Sequence, residues 1–173
     1  MRTLLGLLLI CLVSTVQAQG LTEEFKSSCE CWVVKNHYDN GEVSAVYHEN
    51  KKRERHGILK QYASDGHLLK EEVWKNGKLD GIATTYHPDG SVYLKATYDN
   101  GKKVGKWTFM DPDGTPSQEI DYTGNGADGT YAHYYAGVRY AEQVIEKGKL
   151  METRVLNQEI YDIVQEEAAA TEK

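Results

Sequence analysis

Along most of the chain, apolar residues recur at every second position in short runs, and each run stops at a turn signal. After three Asp-Gly pairs the alternate residues are Leu68, Lys70, Glu72 and Trp74, then Val92, Leu94, Ala96 and Tyr98, then Pro116, Gln118, Ile120 and Tyr122. The second set is wholly apolar, and the positions between (Tyr93, Lys95, Thr97) are more polar. A period of two over about seven residues predicts a half-buried strand with one face inward. The stretches before each Asp-Gly, "GILKQYA", "GIATTYH" and "GKWTFMD", alternate poorly. Each opens on a glycine, which predicts a bend or a close approach by a neighbouring backbone.

The runs repeat at a period of 24. Gly57, Gly81, Gly105 and Gly129 share one column; Gly66, Gly90 and Gly114, each preceded by Asp, share another. Tyr62, Tyr86 and Tyr134 share a third, broken by Met110, and Trp74, Tyr98 and Tyr122 a fourth. The Asp-Gly and Asn-Gly pairs supply the positive φ that tight hairpins demand. Each unit is therefore a β-hairpin. The predicted fold is all-β: an elongated single-layer antiparallel meander of about 24-residue hairpin repeats, with a short C-terminal helix. The helix rests on Ile160, Ile163 and Val164 falling on one stripe, and it is placed where it would cover the last strand edge. A worn leading unit is visible around Tyr38, Asn40-Gly41 and Tyr47, and a worn fourth unit follows Gly129.

The first residues carry one basic side chain, Arg2, then an apolar run from Leu4 to Val13, then Val16-Gln17-Ala18. This is the pattern of a secretory signal cleaved near Ala18, with too short an apolar run to leave a transmembrane anchor. A lipoprotein signal through Cys11 fits less well, because Ile10 stands where a small residue is wanted. The expected organisation is 1–18 signal peptide, 19–28 linker, 29–155 hairpin repeats, and 156–173 short helix and disordered tail. The expected destination is secreted or periplasmic. Loss of Arg2 leaves 19 basic against 26 acidic residues, a charge of −7. That charge argues against a nucleic-acid partner.

Cleavage would leave two cysteines, Cys29 and Cys31, in "SSCECW". A local disulfide, free thiols and half of a metal site all fit a Cys-x-Cys pair, and a local structural pair is favoured. No second Cys pair or closely spaced His pair completes a metal site, so neither metal nor cofactor is expected. "DPDG", Asp111 to Gly114, reads as a turn rather than a calcium loop. "KKRERH", Lys51 to His56, reads as a solvated loop. No nucleophile elbow or phosphate loop is present, so no catalytic residue is expected.

The aligned columns, above all "DGIATTYHPDGSVYLKATYDNGKKVG" from Asp80 to Gly105, resemble the longer variant of the MORN repeat. The resemblance spans about residues 33 to 152. It implies a ribbon that makes contacts with proteins or, in some members, lipids, and many bacterial chains with this variant resemble antitoxin or immunity partners of toxins. It carries no catalytic residues. The expected function is that of an exported, non-enzymatic protein-binding module, with an immunity-type role as one form of it. The expected binding strip is the aromatic series Tyr62, Trp74, Tyr86, Tyr98, Trp107, Tyr122, Tyr131 and Tyr134. The alternative is a carbohydrate- or envelope-binding repeat. "VGKWTFMDPDG" is similar to aromatic hairpins that bind choline or glucan, but Trp107 has no Trp counterpart at Ala83 or Leu59.

Overall fold

The computed structural model describes residues 20–124 and 126–171. The expected signal peptide and the last two residues of the expected tail lie outside them. Thirteen strands follow in chain order: Leu21–Lys26 (β1), Cys31–His37 (β2), Val43–Glu49 (β3), Gly57–Tyr62 (β4), Leu68–Lys75 (β5), Lys78–Tyr86 (β6), Val92–Asp99 (β7), Lys102–Lys103 (β8), Gly105–Met110 (β9), Pro116–Tyr122 (β10), Gly129–Tyr135 (β11), Val138–Glu146 (β12) and Lys149–Val155 (β13). A helix, Gln158–Thr171 (α1), ends the chain. Every pairing is antiparallel between chain neighbours, and the short β8 pairs with β7 beside the main path. The result is the expected open meander with a C-terminal helix. Twelve strands stacked at about 4.8 Å make a ribbon on the order of 50 Å long. Residues 19–28, expected as a linker, contain β1, which pairs with β2 along its whole length.

Two kinds of turn alternate along the ribbon edges. On one edge, Asn76-Gly77 and Asn100-Gly101 both have positive φ, near 50° then 80°, the conformation of a two-residue type I′ hairpin. On the other edge the Asp-Gly turns are identical from unit to unit. Gly66, Gly90 and Gly114 donate their N–H to the carbonyls of Ala63, His87 and Asp111, at 2.9–3.0 Å. The carboxylates of Asp65, Asp89 and Asp113 accept the N–H two residues on. In "DPDG" the Asp113 carboxylate also accepts the Thr115 hydroxyl, so its work is to close a turn.

The units are also bonded to one another beyond the strand ladder. Gly77 donates to the Arg55 carbonyl at 2.9 Å, and Gly101 donates to the Leu79 carbonyl at 2.7 Å, a contact displaced by one 24-residue unit. On the opposite edge the Tyr38 hydroxyl reaches the Tyr62 carbonyl at 2.7 Å.

The register places a bulge in every unit just after the Asp-Gly turn. Gln61 pairs with Lys70 and Tyr62 with Leu68, leaving Leu69 as the extra residue. Tyr93 and Ser117 are extra in the same way, each 24 positions further on. The bulge corrects one detail of the alternation. Lys70, Glu72 and Trp74 share a face, as do Leu94, Ala96 and Tyr98, but Leu68 and Val92 fall on the other face opposite Tyr62 and Tyr86.

The opening glycines behave as the sequence predicts. Gly57, Gly81 and Gly105 have positive φ. A Cβ on Gly81 would meet the Val73 Cβ at 3.0 Å, and one on Gly129 would meet the Asp121 carbonyl oxygen at 2.3 Å. The helix, by contrast, does not cover the last strand. It docks on β12, where Tyr161 lies 6.3 Å from Tyr140, and β13 stays exposed throughout as the outermost strand.

Two outcomes test this account by thermal denaturation. Gly129→Ala drives a methyl into backbone and should cost about 1–3 kcal/mol. Ala136 stands at φ 50° in the position that Asn76 and Asn100 fill elsewhere. Ala136→Asn should therefore stabilise by about 0.5–1 kcal/mol, because Asn tolerates the left-handed region and Ala does not. A Tm unchanged in both variants would contradict the turn and close-approach assignments.

Candidate functional site

The two faces of the sheet differ. One face, here the packed face, carries Val34, Ala45, Leu59, Ala83, Ala96, Trp107, Ile120 and Tyr122, all buried. Small and large residues interlock on it. Ala83 stands opposite Ala96, and the Trp107 indole is anchored over β7 by a 3.0 Å bond from Nε1 to the Thr97 carbonyl. From Trp107 a row of rings runs edge to face: Tyr98 at 5.0 Å on one side, Tyr122 at 5.1 Å on the other, then Tyr131 at 6.1 Å from Tyr122.

Cations lie over these rings. Lys103 Nζ sits 4.9 Å from the Trp107 ring and 5.3 Å from Tyr122. Arg55 bridges Tyr47 and Trp74 at 5.3 and 5.0 Å, and Arg53 covers Trp32 at 4.2 Å. Thus "KKRERH" is more than a solvated loop: two of its arginines roof the packed face. Sequence reasoning missed these residues, yet the signal was present. Arg55, Leu79 and Lys103 form a column at the 24-residue period.

A buried charge also went unread. Glu72 occupies the place of Ala96 and Ile120 in the next two units and is buried. It accepts the Trp74 indole N–H at 3.0 Å and pairs with Lys70 at 2.7 Å. A charge taken out of water is tolerated only with such partners.

The expected aromatic strip divides between the faces. Trp74, Tyr98, Trp107, Tyr122 and Tyr131 lie on the packed face. Tyr62, Tyr86 and Tyr134 lie on the opposite, open face, because their column is an odd number of residues from the packed positions of the same strand. There the hydroxyls are engaged. Tyr86 donates to Glu71 at 2.8 Å, and Lys60 lies 2.6 Å from the same carboxylate. Tyr134 donates to Glu119 at 2.8 Å, with Lys106 at 2.8 Å. The second Tyr–Glu pair lies two units after the first, while its lysine is two residues short of that spacing. Lys60 and then the Tyr86 hydroxyl hold Glu71 below the usual carboxylate range. Lys106, aided by Tyr134, does the same for Glu119 against the opposing effect of burial.

Beside the first of these polar sets, on the same three strands, the open face carries a patch of bare aliphatic side chains. Ile58 stands opposite Val73, and Ile82 completes the group, at 49%, 37% and 58% exposure. The three border a shallow cavity of about 180 Å³ together with Glu71, Glu72 and Thr84. A second hollow of about 240 Å³ lies along the same face, between Lys35, Val43, Val46 and Tyr62.

The MORN repeat variant matches this chain twice, at residues 55–76 and 79–100. Residues 55–100 are MORN repeats. The apolar patch lies wholly within them, Ile58 and Val73 in the first repeat and Ile82 in the second. The unit after the matched MORN repeats, from Gly105, keeps the Asp-Gly turn and the bulge. No curated protein matches the chain. No enzyme family is identified, and among the described residues no group of three or more His, Cys, Asp or Glu could hold a metal ion. Cys29 and Cys31 are joined by a disulfide at the tip of the β1–β2 hairpin.

The two carboxylates set a pH dependence. Their folded pKa values lie below the unfolded ones, so the stability they contribute is present above roughly pH 4.3 and is lost as pH falls through the folded values. A Glu71→Gln, Glu119→Gln double variant should melt below wild type at pH 7, and the two melting curves should converge as pH falls below about 4.3. A constant offset over that range would show that the polar sets carry no pH-linked stability.

Proposed function

We propose that this chain is a non-enzymatic protein-binding module, exported through its N-terminal segment, which holds its partner on the open face of the sheet. The observation that carries this reading is the bare patch of Ile58, Val73 and Ile82. Isoleucines about half in water on a sheet face, as Ile58 and Ile82 are, cost hydrophobic free energy that a partner would recover. Tyr86, Glu71 and Lys60 form a polar rim beside it, the arrangement of an interface core with a hydrogen-bonding margin. The rigid two-turn framework keeps both in place before binding, which lowers the ordering cost.

An immunity-type role, in which the partner is a toxin acting outside the cytoplasm, is the specific form we favour within that class. It rests on the MORN repeats together with the signal-like segment at residues 1–18. A carbohydrate- or envelope-binding role ranks second. Stacking on a sugar needs open ring faces, whereas Trp107 and Tyr122 are buried and roofed by Lys103.

Affinity capture from the envelope fraction, with mass measurement of the mature N-terminus, tests the proposal. The expected result is a chain beginning near Gln19 that retains a defined protein. Ile58→Lys with Ile82→Lys should lower that retention at least about ten-fold while leaving Tm within a few degrees, because both side chains already face water. Retention unaffected by the pair, or transferred to purified cell wall, would overturn the protein-binding reading. For the immunity form, co-expression with a toxic neighbouring gene product should restore growth.

A further inference from the structure

We infer that the Cys29–Cys31 disulfide is a thiol–disulfide exchange site, which oxidises a dithiol presented by a peptide segment, and is not a structural cross-link. Four observations lead there. The bridge spans a sequence separation of two, so it constrains the unfolded chain very little, and loop closure is the main source of a disulfide's stabilising effect. The hairpin it decorates is held by other contacts. Phe25 and Trp32 meet edge to face at 5.3 Å across β1 and β2, and Arg53 covers Trp32. The same guanidinium pairs with Glu23 at 2.6 Å and with Glu49 at 3.0 Å, tying β1 to β3.

The residue between the cysteines, Glu30, has φ 50°, in the left-handed region that non-glycine residues seldom adopt. The turn that holds Glu30 there is closed by its own N–H to the Ser27 carbonyl at 3.4 Å, and Arg53 and Lys147 adopt the same conformation in turns without a disulfide, so the hairpin tip does not need the bridge to keep its shape. Finally, the disulfide opens onto a cavity of about 450 Å³, room for a few residues of an extended peptide. Cys29, Glu30, Cys31, Asn50, Lys51 and Lys52 line one part of it, and Glu54, His56 and Asn76 the rest. Lys51 is paired with Glu30 at 2.7 Å and Glu54 accepts from Asn50 at 2.9 Å, so two of the charged groups beside the bridge are already engaged.

The two sulfurs are unequal. Cys29 is exposed, and Cys31 is 7% exposed. A substrate thiolate attacks Cys29 Sγ, the Cys29–Cys31 bond breaks, and Cys31 leaves as a thiolate that takes up a proton. The substrate's second thiol then loses its proton, and the resulting thiolate attacks the substrate sulfur of the mixed disulfide. The substrate departs with its own disulfide, and Cys29 leaves as a thiolate that is protonated in turn. Two electrons and two protons pass from the substrate dithiol to the Cys29–Cys31 pair.

The test uses the mature chain in its oxidised form, mixed with a reduced Cys-x-x-Cys peptide in one arm and with reduced glutathione in the other, and read by alkylation and mass measurement. The expected result is reduction of the bridge with matching oxidation of the peptide, and a Tm for the reduced protein within about 2 °C of the oxidised one. Peptide oxidation much faster than glutathione oxidation identifies a protein dithiol as the source, and the reverse identifies a small thiol. In single variants, Cys31→Ser should form a mixed disulfide with oxidised glutathione at least about ten-fold faster than Cys29→Ser, because only Cys29 is accessible. A bridge that resists both reductants, a large fall in Tm on reduction, or equal rates in the two variants would overturn the assignment.

Discussion

A sheet one layer thick has no second layer to bury its faces, and every other feature of this ribbon follows from that constraint. Water can be excluded only by side chains that lie flat across their own neighbours. The packed face does this with a small-and-large arrangement. Alanines at 83 and 96 leave room, the Trp107 indole fills it, and tyrosines extend the cover from ring to ring. Phe is scarce because a ring in such a place still meets water at one edge; Tyr and Trp can satisfy that edge with a hydroxyl or an indole N–H. The cations finish the cover. Arg55 and Lys103 set their charged ends over the rings at about 5 Å, so long polar side chains do the task of a missing layer.

Covering one face in this way leaves the other with a different composition. The open face is stitched by two Tyr–Glu–Lys groups, and beside the first stand aliphatic residues that nothing in the described chain covers. The asymmetry divides the aromatic series. Trp107 and Tyr122 are buried in the packed face, whereas Tyr86 and Tyr134 stand on the open face with their hydroxyls bonded to carboxylates.

Much of this architecture is legible in the residues. Asn76-Gly77 and Asn100-Gly101 specify their turns by themselves, since few other pairs tolerate two successive positive φ values, and the column of opening glycines marks positive φ at 57, 81 and 105 and a close backbone approach at 129. The division of the aromatics between faces is legible in principle, because parity along a strand decides it. A period of 24 hides it, since columns 62 and 74 both recur in register while pointing opposite ways. The bulges at Leu69, Tyr93 and Ser117 are not legible, because one extra residue leaves the same polar and apolar letters in the string. Glu72 reads as a break in an apolar column, and only the positions of Trp74 and Lys70 show how its charge is held.

The ends of the ribbon follow a different rule from its middle. An interior unit is held on both sides by ladders and by turn-to-turn bonds such as Gly101 to Leu79, and the charges on its packed face, Lys70 and Glu72, are paired with each other. A terminal strand has one neighbour and a row of free backbone groups that invites further pairing. The helix does not shield β13: Tyr161 packs on Tyr140 of β12, and Glu167 accepts the Tyr135 hydroxyl of β11. Charge stands on the edges instead: Glu23, Glu24 and Lys26 on β1, and Lys149, Glu152 and Arg154 on β13. Adding a second ribbon edge to edge would press such groups against a neighbouring strand and strip water from them. The same physics that relaxes the repeat pattern at its ends, where packing asks less of each side chain, is what lets those ends carry the charges that stop the array from growing.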